Sequence, residues 1–157
     1  MENKVTIKNA DASKSLNIMR VNAPVVYPKG RVYFISGHRD ITEDEFDKYY
    51  LDILDKLVED PLATFVVGDY HGVDIMAQQA LVDMDINPER VTVYHMFEKP
   101  RNIASDKFKT IGGFTTDEDR DAAMTKVSTD DIAWIRKGKW KSGTAQNILR
   151  RHTMMEE

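Results

Sequence analysis

From Arg31 to Gly37 the chain reads Arg-Val-Tyr-Phe-Ile-Ser-Gly, a short apolar run of β-branched and aromatic side chains closed by a glycine. Such a run predicts a strand buried on both faces. The period then changes. In "ITEDEFDKYYLDILDKLVED" the residues Phe46, Tyr49, Tyr50, Ile53, Leu54 and Leu57 recur every three or four positions, which predicts a helix with one buried stripe. Thr42 stands at its N-cap with Glu45 three residues on, the pairing of a capping box.

The alternation repeats. "ATFVVGDY" predicts a second strand, "HGVDIMAQQALVDMDI" a helix that stops near Asn87-Pro88, and "RVTVYHM" a third strand. "RDAAMTKVSTD" predicts a further helix, "DIAWI" a fourth strand and "SGTAQNILRRHTMM" a last helix. Strands alternating with helices require βαβ crossovers. The expected fold class is therefore α/β, a Rossmann-like parallel sheet with helices on both faces. From Phe97 toward Thr115, "FEKPRNIASDKFKTIGGF" reads as a long loop, and such loops in compact domains are often functional. Residues 1–29 hold only β-tolerant pieces broken by Asn, Pro and Gly, so the expected organisation is an N-terminal extension, 1–29, and one domain, 30–157.

Composition narrows the function classes. At 157 residues, 41% hydrophobic and 31% charged, the chain suits a single domain with a sizeable core rather than a disordered one. No apolar run approaches the roughly 20 residues that span a bilayer. The start "MENKVTIKNADASKSL" lacks the plan of a signal peptide, so a cytoplasmic location with no membrane partner is expected. Absence of cysteine excludes disulfides, thiolate metal sites and a cysteine nucleophile. His38, His71, His95 and His152 form no pair at zinc-ligand spacing, and the sequence calls for neither metal nor cofactor. A net charge of -4 argues against a general nucleic-acid binder. The charge is uneven, however. Asp40 to Asp60 is strongly acidic, while Ile132 to Met155 contains no Asp or Glu and six cations: Arg136, Lys137, Lys139, Lys141, Arg150 and Arg151.

Ligands of open parallel sheets bind beyond the carboxyl ends of the strands, and three turns there carry small or polar residues. In Ser36-Gly37-His38-Arg39, Gly37 allows close backbone approach and Arg39 suits a phosphate or carboxylate, although a surface arginine paired to the acidic helix is an equal reading. In "GDYHGVDIMA", Gly68 and Gly72 bracket a helix start that favours an anion. There Asp74 suits a sugar hydroxyl or simply complements the helix dipole. The spacing is neither the dinucleotide fingerprint nor a P-loop. Ser142-Gly143-Thr144 offers two hydroxyls and free N–H groups after "RKGKWK"; alone it reads as an anion cradle or as a capped helix start. Three such turns on one sheet should face one crevice.

With these residues assembled, the chain from about Arg31 to Arg151 resembles the SLOG superfamily, which groups the Lonely Guy phosphoribohydrolases with DNA-processing protein A-like and nucleotide-sensor domains. The resemblance is carried by "FISGHRD", "GDYHGVDIMAQQAL" and "RDAAMTKVSTDDIAWI" followed by "SGTAQNI". Arg120, Met124, Gly143 and Thr144 match the pattern Arg-Lys-x-x-Met, strand, Pro-Gly-Gly-x-Gly-Thr-x-x-Glu. The resemblance implies a nucleotide or nucleotide-derived ligand, its phosphate on the Gly-Thr helix start, Arg120 near ribose or phosphate, Thr144 on the phosphate, and often a homodimer. The chain departs from the pattern at the catalytic Glu, whose place is taken by Asn147 beside Gln146. An amide does not exchange a proton at neutral pH as a carboxylic acid does.

Two expectations follow. The first is a protein that binds such a ligand through Ser36, Gly37, Arg39, Gly68, Asp69, Gly72, Asp74, Arg120, Ser142, Gly143, Thr144 and Asn147 without turning it over. The second is an N-glycosidase in which Asp74, Asp121 or Asp69 replaces the lost acid and Arg120 assists, since an oxocarbenium-like state needs a carboxylate nearby. A scaffold whose Trp140 and Lys141 touch a partner ranks last, because the net charge does not encourage it.

Overall fold

The computed structural model describes residues 30–156. Five strands, β1 (Val32–Ile35), β2 (Thr64–Val67), β3 (Val91–Met96), β4 (Lys109–Phe114) and β5 (Asp130–Ile132), form one parallel sheet in the order β4-β3-β2-β1-β5. The chain steps outward from β1 to β4 and then returns to the far side of β1. That reversal puts the topological switch point between β1 and β5, where ligands of such sheets bind. The expected extension, 1–29, lies outside the described residues.

The first helix begins as its capping box dictates. Thr42 Oγ1 accepts the Glu45 N–H at 3.1 Å and Glu45 Oε1 accepts the Thr42 N–H at 3.0 Å. From α1 (Glu43–Phe46) it passes through a π-helical turn (Asp47–Leu51) into α2 (Asp52–Leu57). With α3 (Val73–Asp83) it covers one face of the sheet, burying Phe46, Tyr50, Leu54, Val73, Ala77 and Leu81 against Ile35, Phe65, Val67, Val91 and Val93. The other face carries α4 (Asp117–Val127), whose Met124 packs on Phe34, Val66 and Tyr94. Beside it runs α5 (Gly143–Glu156), whose Arg151 pairs with Asp131, the register neighbour of Phe34, at 2.8 Å. The architecture is thus α/β and Rossmann-like, with helices on both faces. Among the described residues, no helix is long and apolar enough to cross a membrane.

Three local expectations are corrected. The segment from Phe97 is not loop throughout, because Lys109–Phe114 forms β4, a fifth strand. β4 is an edge strand exposed along most of its length, so "KTIGGF" needs no buried apolar alternation and is held by backbone pairing to β3. The second long helix ends at Asp83 rather than near Asn87, with Asp85 at φ 59° turning the chain and Pro88–Arg90 forming a separate 3-10 turn. The strand expected over "DIAWI" stops at Ile132, since beyond it Trp134 gives its N–H to the Tyr50 hydroxyl instead of to a neighbouring strand.

Candidate functional site

The backbone rise from β2 into α3 sets the centre of the site. Side chains alternate along β2, so Val67 faces α3 and Gly68 faces α4. A side chain at Gly68 would collide with the Asp74 carboxylate and come within 2.8 Å of the Arg120 guanidinium. Gly68 is therefore required by the packing of Arg120 and Asp74 over the strand end. Gly72, at φ 82°, lies against the His38 carbonyl and Arg39 backbone, a conformation and a space that suit only glycine. It starts α3 and brings the first two turns into contact. The Val73 N–H donates to His38 O at 3.2 Å.

Arg120, buried in the first turns of α4, binds carboxylates with every nitrogen. Nη1 meets Asp69 at 2.8 Å and Asp117 at 3.1 Å; Nη2 meets Asp121 at 2.8 Å and Asp74 at 3.8 Å; Nε donates to Asp121 at 3.1 Å. Burial opposes the charge on Arg120, and Asp74 and Asp121 outweigh it, so the guanidinium stays firmly protonated. Asp69 also holds Arg101, which donates through its backbone N–H at 2.9 Å and through Nη2 at 2.8 Å. Burial pushes the Asp69 carboxyl up, but these Arg101 bonds and the Met96 N–H overcome it and hold it at about 2. Asp74 is the opposite case. Burial pushes its carboxyl up to about 7 against the pull of Arg120, with Asp121 adding to the rise. Two aspartates of this site, one in the loop after β2 and one in the first turn of α3, thus differ in protonation near neutrality, Asp69 ionised and Asp74 near its midpoint.

The third turn joins this cluster through α5. Asn147 donates from Nδ2 to Asp121 Oδ2 at 3.2 Å and accepts from Arg150 at 2.7 Å. Thr144, one turn earlier, is buried, while Gly143 is open, with nothing near its missing side chain. Ser142 Oγ accepts the Ala145 N–H at 3.2 Å, so it is a helix cap, and the N–H groups of Gly143 and Thr144 lie in the first turn, where intrahelical acceptors are absent. Ile35 pairs with Val67, which sets Ser36 beside Gly68 and facing α4. Among the described residues, Ser36 Oγ is the buried side-chain polar atom with no hydrogen-bond partner.

Two expected ligand residues have other surroundings. Gly37 faces the opposite side of the sheet, where Val73 and the Tyr50 hydroxyl fill the space a side chain would need. Its smallness is required by that packing. Arg39 is exposed, 3.4 Å from the Tyr70 hydroxyl, and the acidic helix takes Arg136 instead, which pairs with Glu45 at 2.7 Å and Asp40 at 2.9 Å. Sequence reasoning missed Arg101 and Asp117, which bind each other at 2.7 Å and complete the cluster. The signal for Arg101 was the length of the segment after Phe97. On the α4 face of the strand ends, Asp69 and Asp74 of the second turn and Asn147 of α5 are joined through Arg120 and Asp121.

Fold and site together define a Rossmann-like α/β protein with a buried, ion-paired cluster at the carboxyl ends of its strands. No protein-family model, curated protein or solved structure matches the chain.

Proposed function

We propose that the protein binds a nucleotide or nucleotide-derived small molecule at the carboxyl ends of its strands. The observation that carries this reading is the convergence of Ser36, Asp74, Arg120, Asp121 and Asn147 on the side of the sheet where α5 begins. Free N–H groups at Gly143 and Thr144 suit a phosphate, and the approach over Gly143 is open. Arg120 takes a different part from the one its resemblance implies. With its nitrogens spent on Asp69, Asp74, Asp117 and Asp121, it orients acceptors rather than contacting a phosphate. Asp74 and Asp121 then suit ligand groups that donate hydrogen bonds, such as sugar hydroxyls. Calorimetric titration with nucleoside monophosphates, ADP-ribose and cyclic nucleotides tests the proposal: one of them binds, and binding weakens in Asp74→Ala. Failure of the whole panel to bind overturns it.

One observation favours turnover as a second reading. A buried acid poised at about 7 beside a second carboxylate suits N-glycosidic cleavage: the acid protonates the leaving base as the C–N bond breaks, and water adds at the sugar carbon and returns its proton to that acid. Asp74 would supply the proton and Asp121 the negative charge that steadies the oxocarbenium-like state. Asn147, tied to Asp121 and Arg150, is a positioning group here. Chromatography for free base after incubation with the bound nucleotide decides between the readings. Release that disappears in Asp74→Asn supports the hydrolase; persistent absence of base with binding intact removes it.

A further inference from the structure

His38 lies in the first turn between the start of α3 and the segment that follows β5, and none of the roles above uses its side chain. The imidazole is buried, and its Nε2 accepts the backbone N–H of Arg136 at 2.8 Å. Its ring stands edge-on to Trp134, centroids 5.7 Å apart at 79°. Its own carbonyl accepts the N–H of Val73, the first residue of α3. One residue of the first turn therefore holds both the start of α3 and the segment 134–142 that leads into α5. Tyr50 makes a parallel stitch from the π-helical turn, donating to Ser36 O at 2.8 Å and accepting the Trp134 N–H at 2.9 Å. Tyr50 keeps its proton throughout, because burial raises its phenol well above the ordinary range.

The bond to Arg136 depends on the state of the imidazole. A ring nitrogen that accepts an N–H carries no proton, whereas an imidazolium donates from both nitrogens and would face a donor. The charged groups around the ring are Asp40 and Glu45 before and within α1, and Arg136 and Lys139 from the loop; Arg39 follows in the chain. Asp40 and Glu45 are already engaged by Arg136, so they offer a new imidazolium little. We infer that His38 is a positioning residue: as the neutral imidazole it latches segment 134–142, and with it the start of α5, onto the other two turns, and its protonation opens the latch. Burial and the Arg136 charge agree with this, holding the imidazole below its ordinary 6.5. A group depressed in the folded state contributes above its unfolded value and loses that contribution as pH falls through the folded one. The latch is closed at neutral pH and opens only as pH falls below the ordinary imidazole range.

The turns concerned are those of the proposed ligand site, but the test needs no ligand, so the latch and the ligand assignment stand or fall separately. Amide hydrogen exchange at Arg136, corrected for its intrinsic pH dependence, reads the latch directly. Trp134 fluorescence in a Trp140→Phe background reads it independently. As pH is lowered from about 7 through the His38 titration, exchange at Arg136 should speed up roughly tenfold, in step with a fluorescence change. His38→Gln, whose side-chain carbonyl accepts at every pH, should keep slow exchange and lose the pH step. His38→Phe keeps a ring without the acceptor and should exchange fast throughout that range. Exchange at Arg136 that ignores pH, or a step that survives in His38→Gln, overturns the inference. Should His38→Phe not fold, the wild type and His38→Gln decide it.

Discussion

Toward α2 and α3 the sheet presents Ile35, Phe65, Val67, Val91 and Val93, all fully buried; toward α4 it presents Phe34, Val66 and Tyr94 and then, at the strand ends, Ser36 and Gly68 beneath Arg120. The same strands supply both faces by alternation. Apolar area removed from water stabilises by roughly 25 cal/mol per Å², with no penalty for charge. The ionic end gains little net stability, since desolvating Asp69, Asp74 and Arg120 offsets most of their attraction. One face holds the fold together and the other holds a chemical arrangement in place. The cluster's conditional electrostatics, with Asp69 ionised and Asp74 near its midpoint at neutrality, belong to the second task.

That contrast breaks in measurable ways. Phe65→Ala should cost about 3–5 kcal/mol in urea unfolding, nearly the same from acid to neutral pH, because it removes contacts and no charge. Arg120→Met should cost about 3 kcal/mol at neutral pH, since it takes the cation away from Asp74 and Asp121 and leaves Asp69 and Asp117 to Arg101 alone, and less in acid, where Asp74 is protonated. An equal loss at both pH values would show that Arg120 acts by packing alone. Asp74→Asn has the opposite sign. A carboxyl raised in the folded state contributes stability below its ordinary 3.8, and that contribution is lost as pH rises through about 7. The variant should therefore be more stable than wild type by about 1–2 kcal/mol in mildly alkaline solution, with the difference vanishing in acid. Thr42→Ala should cost about 1 kcal/mol, independent of either face, by removing the capping box of α1. Thermal unfolding at neutral pH checks it.

Much of the fold was legible because its signals are local. The run from Val32 to Ile35, the stripe of Phe46, Tyr50 and Leu54, and the Thr42–Glu45 box each lie within one element, and each forms as expected. β4 was not legible, because an exposed edge strand with Gly112 and Gly113 shows no period and is stabilised by β3, whose sequence is elsewhere. At the site, Asp74, Arg120 and Asp121 were legible as chemistry at strand and helix ends. Their partnership was not: Arg120 reaches Asp69 across 51 residues, and Arg101 reaches the same carboxylate from a segment without a motif. The surroundings of Gly37 and Arg39 were hidden for the same reason. Their types suit a ligand, and their faces are chosen by Tyr50, Val73 and Tyr70.

By itself the sequence determined the alternation of β1, β2, β3 and β5 with their helices, the capped start of α1 and the residue types gathered at the turns, since period and capping act over a few neighbouring positions. Only the tertiary structure decided that Arg120 would spend its nitrogens on carboxylates, that Asp74 would hold its proton near neutrality, and that His38 would take the N–H of a residue 98 positions away. Those outcomes depend on burial and on which distant groups burial brings together. Desolvation is a property of the packed surroundings, and no single segment carries it.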